Sequence, residues 1–386
     1  MNSATASGPK KEPARRPEAE GRSEAEIAAR LAAIWRDLLS VEALDHGDNY
    51  FDLGGDSSLA VQLFVQIERA FGVKLPLASL FDAPTVRELA ALIHGHAPSN
   101  AWSPLVALQT GGDRPPLFLI HGAGGNVLIY RELALRLGSD QPIYGLQSQG
   151  LDGARPPLAT VEAMASLYIK EMQRAQRHGP YYFGGYCGGG TVAYECAQQL
   201  RAAGEPVALL ALFDTSNWCL MRPESVWDRL VHAGEQIGFH TANLIRLDSA
   251  GRHRFLRAKI RDLRQRLPVW WGRLTAAARR GANSQAQAMA DVWRANDRAG
   301  LCYIPLPYPG VVTDFRPARQ YRLVNQPGLK WDTLAGGGQI VVTLPVDPAG
   351  MLVEPFVAHL AQALREAMDR AIRAQARAAN SAAAAV

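Results

Sequence analysis

The sequence predicts a small all-α bundle followed by a larger α/β domain with a mostly parallel sheet and a helical insertion. Between residues 23 and 95, apolar residues recur at helical spacing with no strand signal among them. After residue 115, short apolar runs alternate with helical segments, as expected for strands buried on both faces of a parallel sheet. The stretch from Asp214 to about Pro309 is rich in helix signals and poor in strand signals, which indicates the insertion.

Composition narrows the class of protein. The chain has 386 residues, 48% of them hydrophobic, and a net charge of +5 that lies mostly in the tails and one Arg-rich stretch, so we expect no nucleic-acid partner. The four cysteines have no CxxC spacing, which argues against a disulfide scaffold and against a metal site. No run reaches the roughly 20 apolar residues that span a bilayer. We therefore expect a cytoplasmic protein without a membrane partner.

The bundle is predicted over residues 23–95, after a charged, disordered tail at 1–22. Two capping boxes indicate helix starts: Ser23 with Glu26, and Thr85 with Glu88. The helix between them has apolar residues four apart and ends before a glycine: Leu59, Leu63, Ile67 and Gly72. The Gly-, Pro- and Ser-rich segment that follows predicts a linker over 96–114.

Ser57, in the stretch GGDSS, stands at the start of the second predicted helix. The positive end of a helix favours a phosphodiester on such a serine. The alternative is that Ser57 only caps the helix. The segment from DNYFDLGGDSS to LPLASLFDAPTV resembles peptidyl and acyl carrier domains, which are small four-helix bundles. The resemblance implies that a phosphopantetheinyl transferase attaches 4'-phosphopantetheine covalently to Ser57.

Six apolar runs predict the strands of the α/β domain: PLFLIH, QPIYGL, PYYFGGY, PVALLALFD, GVVTDF and QIVVTLPV. We expect this domain to span residues 115–372, with its helical insertion at about 216–300. The Ala-rich residues 373–386 are expected to form a disordered tail.

The stretch GGYCGGG places Cys187 in a strand–turn–helix context where the nucleophile elbow of α/β-hydrolases, G-x-S-x-G, has serine. We expect the positive end of the following helix to lower the pKa of the Cys187 thiol. The backbone N–H groups of Gly188 and Ala123 are the predicted oxyanion hole. The alternative is that Cys187 is a buried, inert cysteine.

Further segments extend the match: FLIHGAGG, LFDTSN, YIPLPYPGVVTDFRP and MLVEPFVAHLAQAL. Together they resemble the thioesterase domains of nonribosomal peptide and polyketide synthases, which have the α/β-hydrolase fold with a helical lid. The resemblance implies that Asp214 is the triad acid, although an aspartate after a strand is also a common helix cap. Aligning the MLVEP segment puts Pro348 at the position of the triad histidine, and proline transfers no proton.

Several other histidines could supply the missing base: His121, His232, His240, His253 and His359. His121 lies in the predicted oxyanion loop, and three of the others lie in the predicted lid. His359 is expected on the C-terminal helix, where it faces solvent or packs. The sequence does not decide among them.

A cysteine without histidine favours transfer over hydrolysis, because thioester exchange needs no strong base whereas attack by water does. We therefore expect a carrier–thioesterase didomain of an assembly line, in which Cys187 takes an acyl or aminoacyl group from Ser57-linked phosphopantetheine, or from a partner carrier, and passes it to a thiol or amine. Hydrolytic or cyclising release, with a histidine from elsewhere, is the first alternative. A catalytically degenerate module that docks the carrier is the second.

The expected partners are other assembly-line carriers and synthetase modules. The chain contains no adenylation, ketosynthase or condensation segment, so we expect another protein to load it. Residues 252–280 hold ten Lys or Arg and one acidic residue, which suggests docking of an acidic carrier near Arg257 and Arg261. A solvated basic helix face is the alternative.

Overall fold

The computed structural model describes residues 22–95, 102–220, 226–249, 252, 256, 284–322 and 331–384. Its N-terminal bundle contains four helices: α1 (Glu24–Leu39), α2 (Ser57–Phe71), α3 (Ser79–Asp82) and α4 (Val86–His94). Both predicted capping boxes are present, at the starts of α1 and α4. The apolar faces of the helices close on one core that includes Trp35, Tyr50 and Phe64. The predicted helical bundle is therefore confirmed.

The described part of the second region contains one seven-stranded sheet, in the order β1-β3-β2-β4-β5-β6-β7. Its strands are β1 (Leu105–Gln109), β2 (Leu117–Ile120), β3 (Ile143–Leu146), β4 (Tyr181–Tyr186), β5 (Val207–Phe213), β6 (Val312–Pro317) and β7 (Gln339–Leu344). All neighbours run parallel except β1, which is antiparallel to β3. The six predicted strands are confirmed. β1 is a correction, because it lies inside the predicted linker.

Helices cover both faces of the sheet. They are α5 (Arg131–Leu137), α6 (Val161–Ala175), α7 (Gly188–Ala202), α8 (Val226–Arg246), α9 (Ser284–Cys302) and α10 (Val357–Ala384). α5 and α10 share an apolar layer on one face, and α6 and α7 share the layer on the other. α10 continues to Ala384, so the expectation of a disordered tail from residue 373 is wrong. Alanine and arginine propagate a helix that packing has already nucleated.

The predicted insertion supplies α8 and α9, which lie over the carboxyl end of the sheet. Most of the basic stretch at 252–280, with Arg257 and Arg261, lies outside the described residues. Among the helices that are described, none is both long and apolar enough to cross a membrane. In the same part of the chain, no group of three or more His, Cys, Asp or Glu side chains could hold a metal ion.

Candidate active site

Cys187 lies at a sharp turn between β4 and α7. Its backbone takes φ 54° and ψ −120°, which side-chain-bearing residues rarely adopt. The turn needs small neighbours, because a Cβ on Gly185 would come within 2.3 Å of the backbone of Gly189. The Cys187 N–H donates to the Phe213 carbonyl at 2.9 Å and so holds the turn at the carboxyl end of the sheet. The strand, turn and helix of the elbow motif are all present.

The two predicted oxyanion-hole donors come from adjacent segments. The Gly188 N–H donates to the sulfur of the residue before it. The Ala123 nitrogen lies 4.0 Å from the place that a Cβ on Gly188 would take. Tyr130 links these segments, because its hydroxyl donates to the Ile120 carbonyl at 2.5 Å and accepts the Tyr186 N–H at 2.9 Å. The segments that carry the two predicted donors are therefore neighbours, and the oxyanion hole stays a prediction.

The electrostatic surroundings of Cys187 differ from the sequence-based expectation. Burial, together with the charges of Asp214 and Asp297, raises the pKa of the thiol to about 11, despite the hydrogen bond from the Gly188 N–H. The expectation of a lowered pKa is therefore wrong. Loss of hydration outweighs the positive end of α7, because the thiolate loses more on leaving water than it gains from one helix terminus.

Asp214 ends β5 and shares this environment. Its N–H donates to the Phe315 carbonyl at 2.9 Å, and its own φ is 43°. Burial and, after it, the Asp214 carboxylate raise the pKa of Tyr186 and of Tyr321. The charge of Asp214 thus acts on both tyrosines and on the candidate nucleophile, at the carboxyl ends of β4 and β5.

Pro348 begins a short 3-10 turn after β7. The residue before it, Asp347, is buried and accepts two hydrogen bonds from the Arg319 guanidinium, at 2.9 and 3.0 Å. The Arg246 guanidinium, at the end of α8, lies 3.8 Å from the same carboxylate. An ion pair between the buried Asp347 carboxylate and the half-exposed Arg319 therefore holds the loop at which the sequence predicts the histidine position.

The structure places two of the five candidate histidines, His121 and His359, away from a catalytic role. His121 is buried, and its ring nitrogens bond the Gly122 carbonyl and the Tyr168 hydroxyl, both at 2.6 Å. Burial lowers the pKa of His121 to about 4, so the ring stays neutral. His359 is exposed on α10. His253 lies outside the described residues.

His232 and His240 both lie on α8, and His232 reaches the edge of the site. Its ring packs against Tyr321 with the centroids 4.7 Å apart. Its Nε2 lies 3.0 Å from the Gln236 amide nitrogen, and its Nδ1 is buried with no hydrogen-bond partner in the described part of the chain. His232 thus packs on a tyrosine whose pKa is raised by burial and by the charge of the predicted triad acid, Asp214.

A second candidate site lies at the start of α2. Ser57 is the first residue of this 15-residue helix. The Asp56 carboxylate accepts the Leu59 N–H at 2.9 Å, and the Tyr50 hydroxyl donates to the Asp56 carbonyl at 3.2 Å. A Cβ on Gly55 would lie 2.3 Å from the Tyr50 ring, so the turn before the serine requires glycine. A helix terminus built in this way suits a covalently bound phosphodiester.

Comparison with known proteins identifies the two regions of the chain. Residues 29–93 match the family model "Phosphopantetheine attachment site", and residues 115–233 match the family model "Thioesterase domain". The chain joins a carrier domain to a thioesterase domain. The carrier domain takes covalently attached 4'-phosphopantetheine.

The relatives are much longer proteins. The chain is 44% identical over 188 residues to malpibaldin synthetase of Mortierella alpina and 41% identical over 184 residues to a dimodular nonribosomal peptide synthase of Bacillus subtilis. Each match covers 48% of this chain, but only 3% and 8% of those two proteins. A crystal structure of a holo four-domain nonribosomal peptide synthetase, bound to AMP and glycine, is similar with a TM-score of 0.56 and 28% identity, over 88% of this chain and 26% of that one.

The carrier domain contacts the thioesterase domain close to the elbow. The Arg131 guanidinium of α5 lies 4.0 Å from the centroid of the Phe51 ring. Leu128, from the segment after the oxyanion loop, and Met289, from α9, pack against the carrier core. The helix that begins at Ser57 also contacts α9. This contact was not predicted, because it joins residues far apart in the sequence.

Three site residues of the thioesterase domain escaped the sequence analysis: Tyr321, Asn296 and Asp297. The Asn296 amide donates to the Ala123 carbonyl at 3.0 Å, and the Asp297 charge acts on Cys187. One signal could have drawn attention to α9, since neighbouring Asn and Asp are poor residues for a helix interior. Nothing in the sequence around Tyr321 marks it.

Proposed function

We propose that the thioesterase domain transfers acyl or aminoacyl groups through Cys187 to an acceptor other than water. The supporting observation is the loop after β7, where Pro348 and the Asp347–Arg319 ion pair stand in place of a histidine. His121, in the oxyanion loop, is held neutral by burial. The similarity to nonribosomal peptide synthetases supports carrier-bound thioesters as substrates.

In the first step, the Cys187 sulfur attacks the thioester carbonyl carbon. A phosphopantetheinyl transferase attaches phosphopantetheine to Ser57. The thiol at the free end of that group would carry the acyl chain as the thioester. The Cys187 S–C bond forms, the old C–S bond breaks, and the departing thiolate takes the proton of Cys187. The N–H groups of Ala123 and Gly188 stabilise the negative oxygen that develops on the carbonyl. Because one thioester replaces another, the step is nearly balanced in free energy.

In the second step, an acceptor thiol or amine attacks the acyl group on Cys187. The new S–C or N–C bond forms, the Cys187 C–S bond breaks, and the acceptor proton returns to the cysteine. Water competes poorly, because it must lose a proton as it attacks and no imidazole at position 348 can take it. General-base assistance of this kind is worth about a hundredfold to ten-thousandfold.

Intact-protein mass spectrometry tests the proposal. The full chain starts in its apo form, and a phosphopantetheinyl transferase moves acetyl-phosphopantetheine from acetyl-coenzyme A to the Ser57 hydroxyl, with adenosine 3',5'-bisphosphate as the leaving group. The acetyl group is then followed by peptide mapping. We expect an adduct on Cys187 that outlasts hydrolysis and moves to added cysteamine, a small thiol and amine. Cys187→Ala and Ser57→Ala are the controls. Absence of any Cys187 adduct, with Cys187→Ala behaving as wild type, overturns the proposal and leaves the docking-module alternative.

Hydrolytic release is the second candidate, and the position of His232 favours it. Its Nδ1 is buried without a hydrogen-bond partner among the described residues, beside Tyr321. If His232 serves as the base, the acetyl adduct is lost to water at the same rate with and without cysteamine, and His232→Ala slows that loss. His359→Ala is the matched control, because that side chain is exposed on α10.

A further inference from the structure

One face of α9 rests on the oxyanion loop. Val292 and Asn296 are four residues apart and therefore lie on the same side of the helix. The Asn296 amide nitrogen donates to the Ala123 carbonyl at 3.0 Å, and its amide oxygen accepts the Ser148 hydroxyl at 3.3 Å. Both polar ends of one side chain are thus engaged at the loop that carries the oxyanion-hole donor Ala123.

Val292 makes the second contact of this face. It is fully buried, and a Cβ on Gly125 would come within 2.5 Å of its side chain. Gly125 itself has φ +79°, donates to the Gly122 carbonyl at 2.9 Å and accepts the Ser148 N–H at 2.7 Å. The loop is therefore a tight turn that lies between the sheet and α9.

Such a turn needs an external anchor. The stretch HGAGG has three glycines around Ala123, and glycine restricts the backbone less than any other residue. An oxyanion-hole donor lowers the barrier only when it is already aimed at the position of the developing charge. The hydrogen bond from Asn296 fixes the carbonyl of the residue whose N–H must point at that position.

We infer that Asn296 is a positioning residue of the thioesterase domain, which holds Ala123 in its oxyanion-stabilising orientation from the lid helix. The inference rests on the proposed acylation of Cys187. It makes the lid part of the catalytic apparatus, since a displacement of α9 removes the anchor of the oxyanion loop. Asn296 acts through Ala123 and does not itself touch the reacting atoms.

The test compares two reactions of Cys187 in the full-length protein. Acetylation by p-nitrophenyl acetate passes through an oxyanion, whereas alkylation by iodoacetamide does not. We expect Asn296→Ala to slow acetylation of Cys187 about tenfold to a hundredfold, somewhat less than outright loss of an oxyanion-hole donor. Alkylation should stay within about twofold of wild type. Asn296→Asp keeps the acceptor for the Ser148 hydroxyl but has no amide donor. The ratio of its acetylation rate to its alkylation rate should therefore resemble the ratio for Asn296→Ala.

Gln287→Ala is the matched control, because this exposed amide of α9 bonds Asp291 on its own helix and no other residue in the described part of the chain. It should leave both reactions unchanged. Acetylation of Asn296→Ala at the wild-type rate overturns the inference while the proposed function stands. Equal slowing of acetylation and alkylation also overturns it, because Asn296 would then only control access to the thiol. A wild-type protein that shows no Cys187 acetylation above Cys187→Ala overturns the proposed function, and the inference with it.

Discussion

The Arg319 guanidinium donates two hydrogen bonds to the buried carboxylate of Asp347, at 2.9 and 3.0 Å. This pair ties the segment after β6 to the loop after β7, immediately before Pro348. The Arg319 guanidinium also lies 5.2 Å from the centroid of the Phe239 ring on α8, so lid, loop and sheet meet at one side chain. The predicted position of the histidine therefore adjoins a contact between three segments of the chain.

Removing one partner of this junction should destabilise the fold. Arg319→Ala leaves the Asp347 carboxylate buried with only the more distant Arg246, so we expect a loss of about 2 to 4 kcal/mol in the free energy of unfolding. Urea denaturation measures it. Arg322→Ala is the control, because the side chain of Arg322 is exposed and its bond to Glu235 comes from the backbone N–H, which the substitution keeps. Equal free energies of unfolding in the two variants would show that the ion pair does not stabilise the fold.

Restoring a histidine should restore hydrolysis. We expect Pro348→His to shorten the lifetime of the acetyl adduct on Cys187 about a hundredfold or more, because an imidazole there can take the proton of attacking water. The adduct is followed by intact mass after mixing with p-nitrophenyl acetate. Pro348→Ala relaxes the same turn without adding a base, and its adduct should live as long as that of the wild type. Similar lifetimes in both variants would contradict the role assigned to position 348.

The reactivity of Cys187 should keep rising far into the alkaline range. With a pKa of about 11, the thiolate fraction grows about tenfold for each pH unit below that value. A raised pKa favours the neutral thiol, so alkylation by iodoacetamide is slow near pH 7 and accelerates without a plateau through about pH 9. Peptide mapping isolates Cys187 from the other three cysteines. A plateau near neutral pH would mean that the helix terminus or a base outweighs burial.

The serine at the start of α2 should be the point of modification. We expect Ser57→Ala to abolish the mass increase of one phosphopantetheine group on incubation with coenzyme A and a phosphopantetheinyl transferase. Ser58→Ala should retain it, because the second residue of the helix lies outside the motif position that carrier domains use. A mass increase of one phosphopantetheine group in Ser57→Ala would show that another residue is the attachment site.

The contact between the domains should depend on Phe51. The Arg131 guanidinium lies 4.0 Å from the centroid of the Phe51 ring, a cation–π interaction worth about 0.5 to 1 kcal/mol. Phe51→Ala should therefore raise hydrogen exchange of the segment around Leu128 about two- to fivefold. Arg87→Ala, an exposed change on α4 of the same domain, should leave it unchanged. Equal hydrogen exchange of this segment in the two variants would show that the carrier domain does not pack on this surface.

Local patterns in the sequence predicted most of the architecture. The capping boxes of α1 and α4 and the six buried strands depend on residues within a few positions of one another, so a short window contains the signal. β1 was missed because its short apolar run directly follows a Pro- and Ser-containing segment that the sequence analysis assigned to the linker, and none of its residues is fully buried. The prediction of a disordered end failed because an Ala-rich segment extends a helix that packing already holds.

Motifs in the sequence mark some of the candidate site residues, but the surroundings of those residues follow from the tertiary structure. Cys187 and Pro348 can be recognised from their motifs, and their pairing already indicated an acceptor other than water. The raised pKa of the thiol could not be foreseen, because burial depends on packing around Cys187, and the charges of Asp214 and Asp297 come from separate segments. Asn296 reaches Ala123 across 173 positions of sequence. Periodicity records neighbours along the chain, whereas hydration, charge and the aim of an N–H group depend on what packing brings close in space.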